Sequence, residues 1–205
     1  TKISFQSMVM ADLMLATREE RGSPSVRSAV MPSKLESKAC AVVRHAEEKA
    51  LTLVTAESCT AGALATLLAD APGAGACFHG GFVTYAKACK TELLGIPAAV
   101  IEARTAVSRE VAERMAAGAL AASGADVAVA VTCVAGPEPD EDGNPVGLIH
   151  VAAAARGQPV RHAKVQSQAS SRAANRERAL SEALTLLDDV LTSAPSRASS
   201  EQVDT

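Results

Sequence analysis

Two hydrophobic rhythms alternate along the chain. Ser33-x-x-Glu36 has the form of a capping box, and Leu35, Ala39, Val42, Val43 and Ala46 recur at helical spacing behind it, so a helix opens the domain. Residues 51–55 form a short β-prone run, and residues 60–69 are Ala- and Leu-rich and read as helix. Gly81-Phe82-Val83-Thr84-Tyr85 reads as a strand opened by glycines, followed by a helix that carries Lys90. A helix is expected over 108–122, capped by Ser108, with Val111, Met115 and Ala119 on one face and Gly124 as its stop. Residues 126–132 are almost continuously apolar, the mark of a central strand covered on both faces. Residues 146–155 and 159–165, joined at Arg156-Gly157-Gln158, predict an antiparallel hairpin, and a last helix is expected over about 170–191.

This order predicts a layered α/β/α fold with a mixed sheet, mainly parallel plus a C-terminal β-hairpin. The folded domain is expected over residues 33–192, between a flexible arm (1–32) and a flexible, polar tail (193–205). Within the arm, Phe5-Gln6-Ser7-Met8 is compatible with a protease-cleavage scar from a tag.

Composition narrows the picture. Of 205 residues, 48% are apolar, many of them Ala, and only 2% are aromatic. The core should therefore be built from Ala, Val and Leu, with helices in close approach. The Ala-rich faces and the hairpin also suggest a homodimer. Net charge is -3 with no basic stripe, Trp is absent and Tyr single, which argues against a nucleic-acid partner bound by stacking. No apolar run reaches the length of a membrane span, and the start lacks a basic leader region, so a cytoplasmic, membrane-free protein is expected. The five cysteines (Cys40, Cys59, Cys77, Cys89, Cys133) are odd in number with no C-x-x-C spacing. That pattern argues against a metal site or a disulfide framework and fits a reducing compartment.

In open α/β sheets, ligands bind beyond the carboxyl ends of the strands. Three segments fall there. Thr55-Ala56-Glu57-Ser58-Cys59-Thr60-Ala61-Gly62 places small residues between a strand and a helix, where free amides can hold an oxyanion. Taken alone, Ser58 and Thr60 read as helix caps, the usual role of Ser and Thr at helix starts. In the second segment the single Tyr85 stands five residues before Lys90. His45, His79, His150 and His162 lie away from every serine motif, so a lysine of depressed pKa, helped by a Tyr hydroxyl, is the available base. The plainer alternative is a solvated lysine and a rim aromatic. In the third, Thr132-Cys133-Val134-Ala135-Gly136-Pro137 breaks a strand into a turn that exposes amides. The acidic run from Glu138 to Asp142 lacks calcium-loop spacing and reads as a solvated loop tip.

In combination these segments, with Leu93-Leu94-Gly95-Ile96-Pro97, Ala106-Val107-Ser108 and Pro145-Val146-Gly147, resemble the CinA C-terminal domain family. Its stand-alone members are nicotinamide-nucleotide amidases (PncC-type). The resemblance implies hydrolysis of nicotinamide mononucleotide to nicotinic acid mononucleotide and ammonia, without metal or cofactor. It implies Ser58 as nucleophile, with Tyr85 and Lys90 activating it. Glu57, Cys59, Thr60, Thr132, Ala135 and Gly136 are then expected around the substrate, with Arg172 and Arg176 as a phosphate clamp just before the last helix. The chain departs from the family pattern at Cys133, where glycine is usual, in the acidic loop, where glycine-rich runs are common, and at Gly80, where many members have Arg. A catalytically weak nucleotide-binding or regulatory protein of the same fold is the alternative that these departures motivate. A cysteine-dependent enzyme using Cys59 or Cys133 is a third reading, testable by alkylation.

Overall fold

The computed structural model describes residues 32–197. Helix α1 (Lys34–Glu48) starts on the full capping box: Ser33 Oγ accepts from the Glu36 amide, and the Glu36 carboxylate accepts from the Ser33 amide. Then follow β1 (Leu53–Glu57), α2 (Ala63–Ala69), α3 (Ala74–Cys77), β2 (Phe78–Val83), α4 (Lys87–Leu94), α5 (Ala98–Arg104), α6 (Arg109–Ser123), β3 (Val127–Cys133), β4 (Leu148–Ala155), β5 (Arg161–Gln166) and α7 (Arg172–Ser193). The five strands form one sheet in the order β2-β1-β3-β4-β5. β1 pairs in parallel with β2 and β3, and the hairpin β4–β5 adds antiparallel pairings beside β3. This is the mixed α/β/α arrangement expected from the alternation of periods.

The two faces of the sheet differ in side-chain size. Leu53, Val127, Val129, Val131, Ile149 and Val151 point to one side and pack under α1 and α7. Ala56, Ala128, Ala130, Ala152 and Ala154 point to the other, against Val111, Ala112, Met115, Ala116 and Ala119 of α6. Small residues on both partners let α6 lie close to the sheet. At Gly118 a side chain would collide with the Leu94 carbonyl at the end of α4. These alanines are thus buried in the domain's own core.

Boundaries moved where local pattern competes with pairing. β1 lies two residues later than the β-prone run suggested, because Leu53 to Glu57 are the residues that pair with both neighbours. Helices α3 and α5 were not foreseen; they span only 4 and 7 residues and carry too little periodicity to stand out. The stretch expected as a tail is docked at its start. Ser193 closes α7, Ala194 is buried, and the Arg197 amide donates to Lys49 O at 3.1 Å. The expected arm, apart from Pro32, and residues 198–205 of the expected tail lie outside the described residues. Among the described residues, no helix is long and apolar enough to cross a membrane.

Candidate active site

The parallel register brings the three segments together. Glu57 is level with Val83 of β2 and with Val131 of β3, so the chain leaves all three strands at one edge of the sheet. There a cleft of about 340 Å³ opens, with Ser58, Cys59, Tyr85, Lys90, Cys133 and Arg172 among its lining residues.

The β1 exit is built around a carboxylate. Glu57 is fully buried, and its side chain accepts hydrogen bonds from the amides of Gly62 (3.0 Å), Leu64 (3.0 Å) and Ala65 (2.8 Å). α2 begins at Gly62, in the left-handed region at φ 94° with no side chain to cap the helix, and Glu57 supplies the missing acceptor. Glu57, expected beside the substrate, is therefore turned into the helix start. Neither of the hydroxyls that read as caps fills that role. Thr60 Oγ1 is buried without a protein partner, and Ser58 Oγ faces Lys90.

Lys90, on α4, is 1% exposed, which removes the solvated-lysine alternative. Its ammonium donates to Ser58 Oγ at 3.1 Å and to the Thr84 carbonyl at 2.6 Å. Among the described residues, no carboxylate makes an ion pair with it. Burial, with Lys87 nearby, pulls its pKa down to about 8, although neighbouring Cys89 opposes the shift. Tyr85 is the opposite case: 59% exposed, at the cleft rim, its hydroxyl accepting from Arg172 Nη2 at 3.2 Å.

The facing wall is the turn after β3, held from behind by α7. Arg172 Nη1 donates to Gly136 O at 2.8 Å, and Asn175 Nδ2 donates to Ala135 O at 3.1 Å. Gly136 takes φ 90°, a conformation that excludes side chains, and precedes a cis peptide to Pro137. Thr132 is fully buried, with its hydroxyl on the Ala106 carbonyl at 3.0 Å, so it supports the wall and does not face the cleft. The two arginines lie in the first turns of α7, not before it, and they separate. Arg172 lines the cleft, whereas Arg176 reaches Thr60 O at 2.7 Å behind it.

The cysteine reading is corrected here. Cys59 and Cys133 are joined in a disulfide, their Cα atoms 5.6 Å apart. They stand 74 residues apart in sequence. Parallel pairing of Glu57 with Val131 carries the next residues forward in step, with the Ser58 amide on Val131 O at 3.0 Å, and two residues past the paired positions the cysteines meet. Spacing rules cannot show such a pair, because its proximity is a property of the register. Cys40, Cys77 and Cys89 are free.

The acidic loop also departs from expectation. Lys87 of α4 makes ion pairs with Glu141 (2.6 Å) and Asp142 (3.0 Å), and Asp140 accepts from the Asn144 side chain at 2.8 Å. Asp140, Glu141 and Asp142 accordingly line the cleft.

A buried lysine on a serine hydroxyl, at the carboxyl edge of a mixed α/β/α sheet, defines the class of site. The CinA C-terminal domain family matches residues 35–191, and the chain belongs to that family. A CinA-like protein of Akkermansia muciniphila is 50% identical over 117 residues, covering 57% of this chain and 28% of the relative. A CinA-like protein of Chlorobium limicola is 40% identical over 157 residues, covering 73% and 37% respectively. The chain thus spans less than two fifths of the length of these relatives. Among solved structures, the competence/damage inducible protein of Agrobacterium tumefaciens superposes with a TM-score of 0.75 at 36% identity, over 80% of this chain and 99% of that one. The competence-damaged protein superfamily member from Escherichia coli gives 0.72 at 34% identity, over 77% and 92%.

Proposed function

We propose that the chain is an amidohydrolase that converts nicotinamide mononucleotide to nicotinic acid mononucleotide and ammonia. The observation that carries this reading is the Lys90–Ser58 contact: a buried lysine with pKa near 8, 3.1 Å from a serine hydroxyl in a cleft. Neutral Lys90 takes the Ser58 proton as Ser58 Oγ adds to the carboxamide carbon. The Thr84 carbonyl fixes the amine's direction. The Ser58 amide is committed to Val131 O, and those of Gly62, Leu64 and Ala65 to Glu57. The Cys59 and Thr60 amides are then the donors left for the oxyanion. The Tyr85 hydroxyl already accepts from Arg172, so its proton is free for the leaving ammonia. The Lys90 ammonium returns its proton to the phenolate that Tyr85 becomes, and water then hydrolyses the acyl-serine with neutral Lys90 again as base, the proton passing on to the departing Ser58 Oγ. The same proposal includes a homodimer, testable by light scattering, and a cytoplasmic setting.

Ammonia release from nicotinamide mononucleotide tests the reading. Turnover by the wild type that vanishes in Ser58→Ala supports it, and a folded wild type without turnover sinks it. One observation favours a second reading, a catalytically weak nucleotide-binding protein: three carboxylates line a cleft that has to admit a phosphate. Calorimetric binding of the mononucleotide without ammonia release would favour that reading.

A further inference from the structure

The Cys59–Cys133 disulfide lies in the cleft itself. Cys59 follows Ser58, and Cys133 opens the turn that Arg172 holds through Gly136 O. Both sulfur-bearing residues line the cleft, 5% and 8% exposed, so a molecule that enters the cleft meets them while a macromolecule does not. The bond ties the wall that carries Ser58 to the wall that faces it.

We propose that Cys59–Cys133 is a thiol–disulfide exchange site that opens into the cleft and takes a small thiol as its co-reactant, its oxidised form holding the two substrate-binding walls together. The claim about the walls rests on the amidase reading; the claim of exchange does not. A small thiolate attacks Cys133 Sγ, the sulfur–sulfur bond breaks, and its electron pair leaves on Cys59 Sγ, which takes a proton from water. The product is a mixed disulfide whose small group occupies the cleft. A second thiolate attacks the small group's sulfur and releases Cys133 as thiolate, which is protonated. In sum, one protein disulfide and two small thiols give a protein dithiol and one small disulfide, and the reverse reaction re-oxidises the site. In the dithiol the sulfurs separate to van der Waals contact and the covalent tie is lost.

The test uses the full chain, with cysteine and dithiothreitol as reductants and cystine as oxidant. Samples are quenched with maleimide in denaturant, and the labels are counted by mass. Three labels are expected before reduction and five after, from the five cysteines and one bond. Cystine should restore three. Cys133→Gly should carry four labels both before and after reduction, and Cys59→Ser should do the same as an independent variant. Five labels in the oxidised wild type would overturn the proposal. So would three labels that change only once denaturant precedes the reductant, since the bond would then be closed to exchange. Saturating nicotinamide mononucleotide should slow reduction by about tenfold, and reduction should raise KM about fivefold with kcat held. A KM unmoved by reduction overturns the claim about the walls. Exchange unaffected by the mononucleotide, in a protein without turnover, leaves the exchange site standing and counts against the amidase reading, so the two failures are told apart.

Discussion

Lys90 Nζ stands 3.1 Å from Ser58 Oγ although one group rides on α4 and the other leaves β1. What joins them is the exit of β2. The Thr84 amide donates to Glu57 O at 2.7 Å, which aligns the two exits, and the Thr84 carbonyl receives Lys90 at 2.6 Å. The lysine is therefore aimed by backbone, with no carboxylate needed to orient it.

Lys90 should act only when neutral. Its pKa lies near 8, so kcat/KM should fall about tenfold per pH unit below that value and level off above it. Lys90→Met should lose about 10²–10⁴ in kcat/KM and abolish this limb. The same shift has the opposite sign for stability. Between about 8 and the ordinary 10.5 the unfolded chain binds the extra proton, so stability rises with pH there, and at neutral pH the buried amine destabilises the fold. Lys90→Met should therefore be more stable at pH 7, on the order of 1–3 kcal/mol, since a pKa unit is about 1.4 kcal/mol and the bond to Thr84 O is lost in return. Denaturant melts at pH 7 and pH 10 check this; equal stability of the two proteins at both pH values would refute it.

Glu57→Gln separates architecture from chemistry. A neutral amide can accept from fewer of the amides of Gly62, Leu64 and Ala65, and it brings an NH₂ group into a pocket of donors. The loss of charge-assisted bonds is worth about 1.5–3 kcal/mol. For a domain of this size, that is a fall in Tm of roughly 5–10 °C. Activity per folded molecule should drop less than in Ser58→Ala. A variant with unchanged Tm would show that the buried carboxylate does not hold α2.

The elements with long periodic patterns were legible from the chain: α1 with its capping box, α6 with Ser108 and Gly124 at its ends, β3 as a continuous apolar run, and the β4–β5 hairpin. So was the grouping of Ser58, Tyr85 and Lys90, because strand ends in such sheets converge. What was hidden depends on register and on backbone. Glu57 is expected beside the substrate until β1 is seen to run through it, with its side chain on the amides that open α2. Arg172 and Arg176 are four residues apart on one helix, yet only one reaches the cleft, since Arg176 is drawn to Thr60 O. Cys133 reads as an intrusion into a glycine position until the parallel register sets Cys59 beside it.

His150, which is not part of the cleft lining, supplies an acid-sensitive contact. It is buried on β4, its Nδ1 2.9 Å from Nε2 of His162 on β5, so the pair shares one hydrogen bond that protonation of both rings would break. Burial, followed by His162 and Lys164, lowers the His150 pKa to about 4. His162 is lowered too, by burial and then Arg109. Between pH 6.5 and about 4 the unfolded chain takes up protons that the folded chain refuses, so stability should fall as pH drops through this window. His150 alone accounts for up to about 3 kcal/mol at roughly 1.4 kcal/mol per pKa unit. His150→Leu should flatten most of that slope in urea melts between pH 7 and 4, and an unchanged slope would remove His150 as its source.

Arg172 touches both walls at once, and its replacement tests which contact matters. Nη1 holds the Gly136 carbonyl and Nη2 the Tyr85 hydroxyl. Only a planar fork can make both contacts, so Arg172→Lys should lose one of them while it keeps the charge. If the residue serves by positioning Tyr85 and the turn, Arg172→Lys and Arg172→Ala should both lower kcat, by about tenfold or more, and do so equally for nicotinamide mononucleotide and for the riboside that lacks its phosphate. If its charge binds phosphate, Arg172→Ala should raise KM for the mononucleotide alone, and Arg172→Lys should restore much of it. The geometry favours the first outcome. Both terminal nitrogens are already engaged by protein oxygens, and the carboxylates of Asp140, Glu141 and Asp142 share the cleft, so an incoming phosphate would have to displace a bond that now fixes the site.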